Sequence, residues 1–66
     1  DIERVLLIVP IFLVLIVEMI NSAIEALVDR VSLEQHELSG FAKDVASAAV
    51  LLSLVIFLIV WAIILL

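Results

Sequence analysis

An all-α fold, an integral membrane helical hairpin, is predicted for this chain of 66 residues by three observations. Hydrophobic residues make up 68% of it and charged residues only 17%, too greasy a mixture for so short a chain to hide in a soluble core. Two long apolar stretches lie on either side of a polar connection. Glycine and proline occur once each, which leaves no linker or low-complexity segment between them. Cysteine is absent, so neither a disulfide framework nor a thiolate metal site is available.

The first element is a long helix within residues 1–31. From Val5 to Val17 thirteen residues run without a charge, and apolar positions continue beyond Glu18 to Val28 and Val31. The uninterrupted run is too short to cross about 30 Å of hydrocarbon, so the membrane stretch includes polar residues. Pro10 removes one backbone hydrogen bond inside this run and is expected to kink it, a defect that membrane helices tolerate. The second element, within residues 43–66, contains 22 residues from Val45 to Leu66 with no ionisable group. Trp61 near its end suits an interfacial anchor.

Between them, residues 32–42 turn the chain back on itself. Ser39 or Gly40 is expected to cap the second helix, and Ser32 with Gln35 has the spacing of a capping box. Arg30 and Lys43 flank this connection while Arg4 alone lies at the other end, which places the turn in the cytoplasm by a margin of one charge. The net charge of −5 argues against a nucleic-acid partner and for a cation. The chain opens at Asp1 with no initiating methionine, and is expected to be part of a longer protein.

Function is carried by a polar stripe. Glu18, Asn21, Ser22, Glu25 and Asp29 fall on one face of the first helix at about 100° per residue. A carboxylate at membrane depth costs several kcal/mol and normally faces protein, water or an ion. Asp29, near the helix end, reads as solvated; Glu18, directly after the apolar run, reads as a site residue. Asn21 and Glu25 are one turn apart and can converge on one ligand. Glu18 and Glu25 are separated by roughly 10 Å along the axis, too far for one metal ion to take both from a straight helix. Ala23, Ala26, Ala46, Ser47, Ala48 and Ala49 allow the helices to approach closely, although such residues more often serve packing alone. Across the turn lie Glu34, His36, Glu37, Lys43 and Asp44; on residue chemistry alone Lys43 reads as a snorkelling lysine and His36 as an ordinary loop residue.

The run Val17-Glu18-Met19-Ile20-Asn21-Ser22-Ala23-Ile24-Glu25-Ala26, followed by Val28-Asp29-Arg30, His36-Glu37-Leu38-Ser39-Gly40 and Ala42-Lys43-Asp44, resembles the prokaryotic diacylglycerol kinase family. The resemblance implies a multi-pass enzyme of the bacterial inner membrane, part of a homotrimeric bundle with three membrane helices per subunit. Such an enzyme transfers the γ-phosphoryl of ATP, with Mg2+, to the hydroxyl of diacylglycerol and gives phosphatidic acid. By motif position, Glu18 looks like the catalytic base facing the lipid, with Asn21 beside it, and Glu25 like a metal ligand that also contacts ATP. Glu34, Gln35, His36, Lys43 and Asp44 match the nucleotide-contacting segment, and Ser47 matches a position lining the lipid site.

Two departures accompany the resemblance. The family's N-terminal surface helix and first membrane helix have no counterpart here, and with them a metal-binding glutamate is missing, so the fragment alone is expected to be inactive. Phe41 stands where close relatives are expected to carry arginine. The competing expectations are an undecaprenol kinase of the same family and a non-enzymatic assembly hairpin, transporter or channel piece using Glu18 and Glu25 as a cation path.

Overall fold

The computed structural model describes residues 1–31 and 37–66, with side chains for 1–30 and 38–66. Helix α1 spans Ile2–Val31 and helix α2 spans Glu37–Leu65. The two pack along their length as a hairpin, and the molecule measures 49 × 16 × 9 Å. Both helices are long and apolar enough to cross a membrane.

Asp1 starts α1. Its side-chain oxygen accepts the backbone N–H of Arg4 at 2.8 Å while its carbonyl accepts that of Val5, which satisfies two of the donors that a helix start leaves open. Arg30 occupies the last turn, where a cation complements the exposed carbonyl ends. Pro10 lies inside a continuous helix, and it is buried.

Helix α2 starts earlier than the composition of the connection predicts. It reaches back to Glu37, so Ser39 and Gly40 lie inside its first turns and do not cap it. Gly40 does not have a positive φ, and a Cβ placed on it would meet nothing within 4 Å. The helix therefore tolerates glycine here at its ordinary entropic cost and does not require it. The expected capping pair Ser32 and Gln35 lies outside the described residues.

The seam between the helices follows alternating three- and four-residue steps. On α1 the less exposed positions include Leu7, Pro10, Leu13, Val14, Val17, Asn21, Ile24 and Val28. On α2 they include Ala42, Ala46, Val50, Ser53, Phe57, Val60 and Ile64. This is the stripe of a helix that meets one partner along a single side. The two tightest points on α2 are small: Ala46 is 6% exposed and Ser53 3%. Of the six small residues expected to permit close approach, only Ala46 is buried; Ala23, Ala26, Ser47, Ala48 and Ala49 remain exposed. Ser53, which composition did not single out, takes that part instead. Its hydroxyl donates to the Val50 carbonyl at 2.7 Å, so the buried oxygen is satisfied within its own helix.

Outside the seam, large apolar side chains cover the surface, from Phe12 and Met19 on α1 to Leu58 and Ile63 on α2. A soluble monomer rarely exposes so continuous an apolar surface, whereas lipid solvates it without cost. The chain is a membrane protein.

Trp61 is used within the hairpin. Its indole N–H donates to the backbone carbonyl of Leu7 on α1 at 3.0 Å, which ties the two helices together where an interfacial anchor was expected.

Candidate functional site

Among the described residues the polar stripe of α1 meets α2 at two separate places. In the first, Glu18, Asn21 and Ser22 face Ser47 and Val50 across a cavity of about 250 Å³. The local reason is helix geometry: positions 18, 21 and 22 lie one turn apart on the same side, and Ser47 directly follows the buried contact at Ala46. Glu18, Asn21 and Ser47, expected to belong to one lipid-binding place, are thus brought together. Ser22 was visible in the sequence only as part of the stripe, and Val50 gave no signal at all.

Asn21 sits at the seam between this cavity and an apolar groove of about 470 Å³ on its other side, where Ile20, Ile24, Phe41 and Val45 are among the lining residues. Its Oδ1 is buried and has no hydrogen-bond partner among the described residues. An acceptor left in that condition costs about 1–3 kcal/mol, so this position is held against its own solvation preference.

The second place lies nearer the helix ends that face residues 32–36. Lys43 Nζ on α2 pairs with Asp29 Oδ1 on α1 at 2.5 Å, and the carboxylate of Glu25 adds to the attraction on the same ammonium. Asp29, which the sequence presented as a solvated helix end, is therefore the partner of Lys43 across the hairpin. That contact joins residues on different helices, and spacing along one helix gives no sign of it. Glu25 is half-buried; Asp44 is exposed and lines neither cavity. Glu34, Gln35 and His36 lie outside the described residues.

Chemically, the two places differ. The first offers a carboxylate, an amide and two hydroxyls around a space between helices, suited to receive a hydroxyl-bearing molecule from the bilayer. The second offers one ammonium and two carboxylates near the helix ends. Among the described residues no group of three His, Cys, Asp or Glu side chains converges as a ready metal site. The donors at hand are oxygens, which suit a hard divalent cation; Mg2+ in particular is commonly held by one or two carboxylates with water and substrate phosphates filling its remaining positions. Glu25 fits such a partial role.

Comparison with known proteins gives the family. Residues 1–65 match the family Prokaryotic diacylglycerol kinase. The chain is 59% identical over 64 residues to the Diacylglycerol kinase of Escherichia coli (strain K12), a match covering 97% of this chain and 52% of that protein. It is 58% identical over 64 residues to the Diacylglycerol kinase of Pseudomonas aeruginosa, with the same two coverages. To the Diacylglycerol kinase of Helicobacter pylori (strain ATCC 700392 / 26695) it is 50% identical over 56 residues, 85% of this chain and 44% of that protein. The chain spans about half the length of the curated relatives it matches. With nearly every residue matched, and with the stripe and the helix pairing in place around it, the chain belongs to the prokaryotic diacylglycerol kinase family.

Proposed function

We propose that the protein containing this chain is a lipid kinase that transfers the γ-phosphoryl of ATP to the hydroxyl of diacylglycerol, giving phosphatidic acid. The observation that carries this reading is the cavity shared by Glu18, Asn21, Ser22 and Ser47, a polar recess between two otherwise apolar helices. A lipid alcohol reaches it from the bilayer, with its hydroxyl as the only group that the recess needs to recognise.

In this reading Glu18 is the general base. Its carboxylate accepts the proton of the lipid hydroxyl as that oxygen attacks the γ-phosphorus, the bond to the β-phosphate oxygen breaks, and ADP leaves. Asn21 and Ser47 orient the hydroxyl. Phosphoryl transfer asks little covalent chemistry of the protein, only alignment and compensation of charge. Lys43 meets phosphate oxygens directly, and Glu34, Gln35, His36 and Asp44 contact the rest of the nucleotide. When bound, Mg2+ neutralises charge on the transferring phosphate; Glu25 would hold it, together with carboxylates from outside this chain.

The division of the chain follows the chemistry: 1–31 carries the base and the metal ligand, 32–42 faces the cytoplasm and the nucleotide, and 43–66 completes the lipid recess. In this reading the protein lies in the bacterial inner membrane, where ATP is available on one side only. It assembles as a homotrimer with three membrane helices per subunit, in which part of the exposed apolar surface of the hairpin meets neighbouring helices.

The test is direct. Full-length protein in mixed micelles with ATP and Mg2+ should phosphorylate diacylglycerol, with labelled phosphatidic acid as product. Preference for undecaprenol would reassign the enzyme within its family, and no transfer to either lipid would favour an assembly hairpin or cation path.

A further inference from the structure

Pro10 sits in the middle of the apolar run of α1, inside a continuous helix. It has no N–H to offer the Leu6 carbonyl four residues before it, and its ring crowds that turn, which weakens the helix bonding of the adjoining Leu7 carbonyl. In hydrocarbon such groups must find another donor, and a neighbouring helix is one source. The donor is present: the Trp61 indole N–H reaches the Leu7 carbonyl at 3.0 Å. Phe57, one turn earlier on α2, lies against the indole with ring centroids 5.3 Å apart and limits its rotation. Pro10 itself is buried and Leu7 is half-buried, so this side of the turn faces the seam.

We propose that Pro10 and Trp61 form a joint that sets the separation of α1 and α2 away from the turn, and that Trp61 is a positioning residue for the Glu18 cavity. The proline loosens the turn that carries the Leu7 carbonyl, the indole braces that turn from α2, and the stiff helix carries the result to Glu18, two turns and about 12 Å further along. Neither Pro10 nor Trp61 lines that cavity, so their effect on it is through helix spacing. The second half of this inference rests on the lipid kinase reading; the first half does not.

The test uses full-length protein labelled with 15N-tryptophan in micelles. The Trp61→Phe variant, which keeps an aromatic ring against Phe57, identifies the Trp61 indole resonance by its disappearance. In the unaltered protein that N–H should exchange slowly with deuterium. Pro10→Ala should accelerate the exchange by about tenfold, the factor that corresponds to loss of one net hydrogen bond. Exchange that is already fast, or that Pro10→Ala leaves unchanged, overturns the joint.

For the positioning role, Trp61→Phe should raise the KM for lipid severalfold while leaving the KM for ATP unchanged. Adding Pro10→Ala to it should cost nothing more, because both changes remove the same contact. Equal effects on both substrates, or additive losses, overturn the positioning role. A full-length protein that transfers phosphate to no lipid overturns that role together with the kinase reading, while the exchange result still decides the joint by itself.

Discussion

The hairpin is tied at its two ends by opposite kinds of chemistry. Toward residues 32–36 the tie is ionic, Lys43 on α2 with Asp29 on α1, and both partners are substantially open to their surroundings. Toward the other end it is neutral, the Trp61 N–H on the Leu7 carbonyl, part-buried between apolar side chains. An open ion pair exchanges partners readily, since a stronger anion can take the ammonium and water or a metal ion can take the carboxylate. A hydrogen bond inside hydrocarbon has no competing donor or acceptor. The ionic tie is therefore the one that a charged ligand could displace, the neutral tie has no such competitor, and the Glu18 cavity lies between them.

That contrast is sharpened first at the cavity itself. Glu18→Gln in the full-length protein should lower turnover by about 10²–10⁴-fold, the usual contribution of a general base, while nucleotide binding stays close to that of the unaltered protein. Titration with ATP and Mg2+ beside a turnover assay separates the two quantities. An equal loss of nucleotide affinity would move Glu18 from the lipid to the phosphate side and erase the distinction between the two places.

Glu25→Gln should come next in size. Loss of a direct metal ligand is expected to exceed the roughly 10–100-fold cost of losing an outer-shell partner, with the helix content unchanged by circular dichroism because the amide keeps the shape of the face. Activity near that of the unaltered protein at saturating Mg2+ would remove Glu25 from the metal's coordination.

Lys43→Ala is predicted to raise the KM for ATP about tenfold and to reduce turnover as well, since a charge-assisted contact to phosphate is lost. Unchanged ATP kinetics would make Lys43 a snorkelling residue whose pairing with Asp29 serves the fold alone.

Much of this was legible in the sequence, and the pattern of what was not has a physical cause. The two helices follow from uninterrupted apolar runs, and the stripe from Glu18 to Asp29 follows from angular spacing within one helix. Both signals are local. The partner of Asp29, the acceptor of Trp61 and the choice of Ser53 over Ala48 or Ala49 at the seam all depend on the register and rotation of α2 against α1. A single chain's spacing does not encode these directly. The early start of α2 was missed for a different reason: Ser39 and Gly40 are frequent in turns, yet a helix flanked by apolar residues absorbs both at modest cost. Glu34, Gln35 and His36, proposed to contact the nucleotide, lie outside the described residues, and that proposal rests on motif position.

The smallest expected effect belongs to Asp29→Asn, and it tests the comparison most finely. In the hairpin Asp29 holds the Lys43 ammonium at the α1 side, within the attraction of Glu25. If phosphate replaces Asp29 as the partner of Lys43, removing the carboxylate's charge has two opposing consequences. The ammonium no longer has to be detached from a competitor, which favours ATP; it is also less well placed before binding, which disfavours it. Exposed ion pairs are weak, so the net change in the KM for ATP should be no more than about two- to fivefold, with turnover nearly unaltered. The direction is informative. A lower KM means that Asp29 competes with phosphate for Lys43, and a higher one means that it aims the lysine toward the site. In either case the effect should vanish in the Lys43→Ala background, because a charge that acts through Lys43 has nothing left to act on. A loss that persists there would show that Asp29 works on its own, as a metal or nucleotide contact, and the ionic end of the hairpin would then be part of the site itself and not a tie released by its ligand.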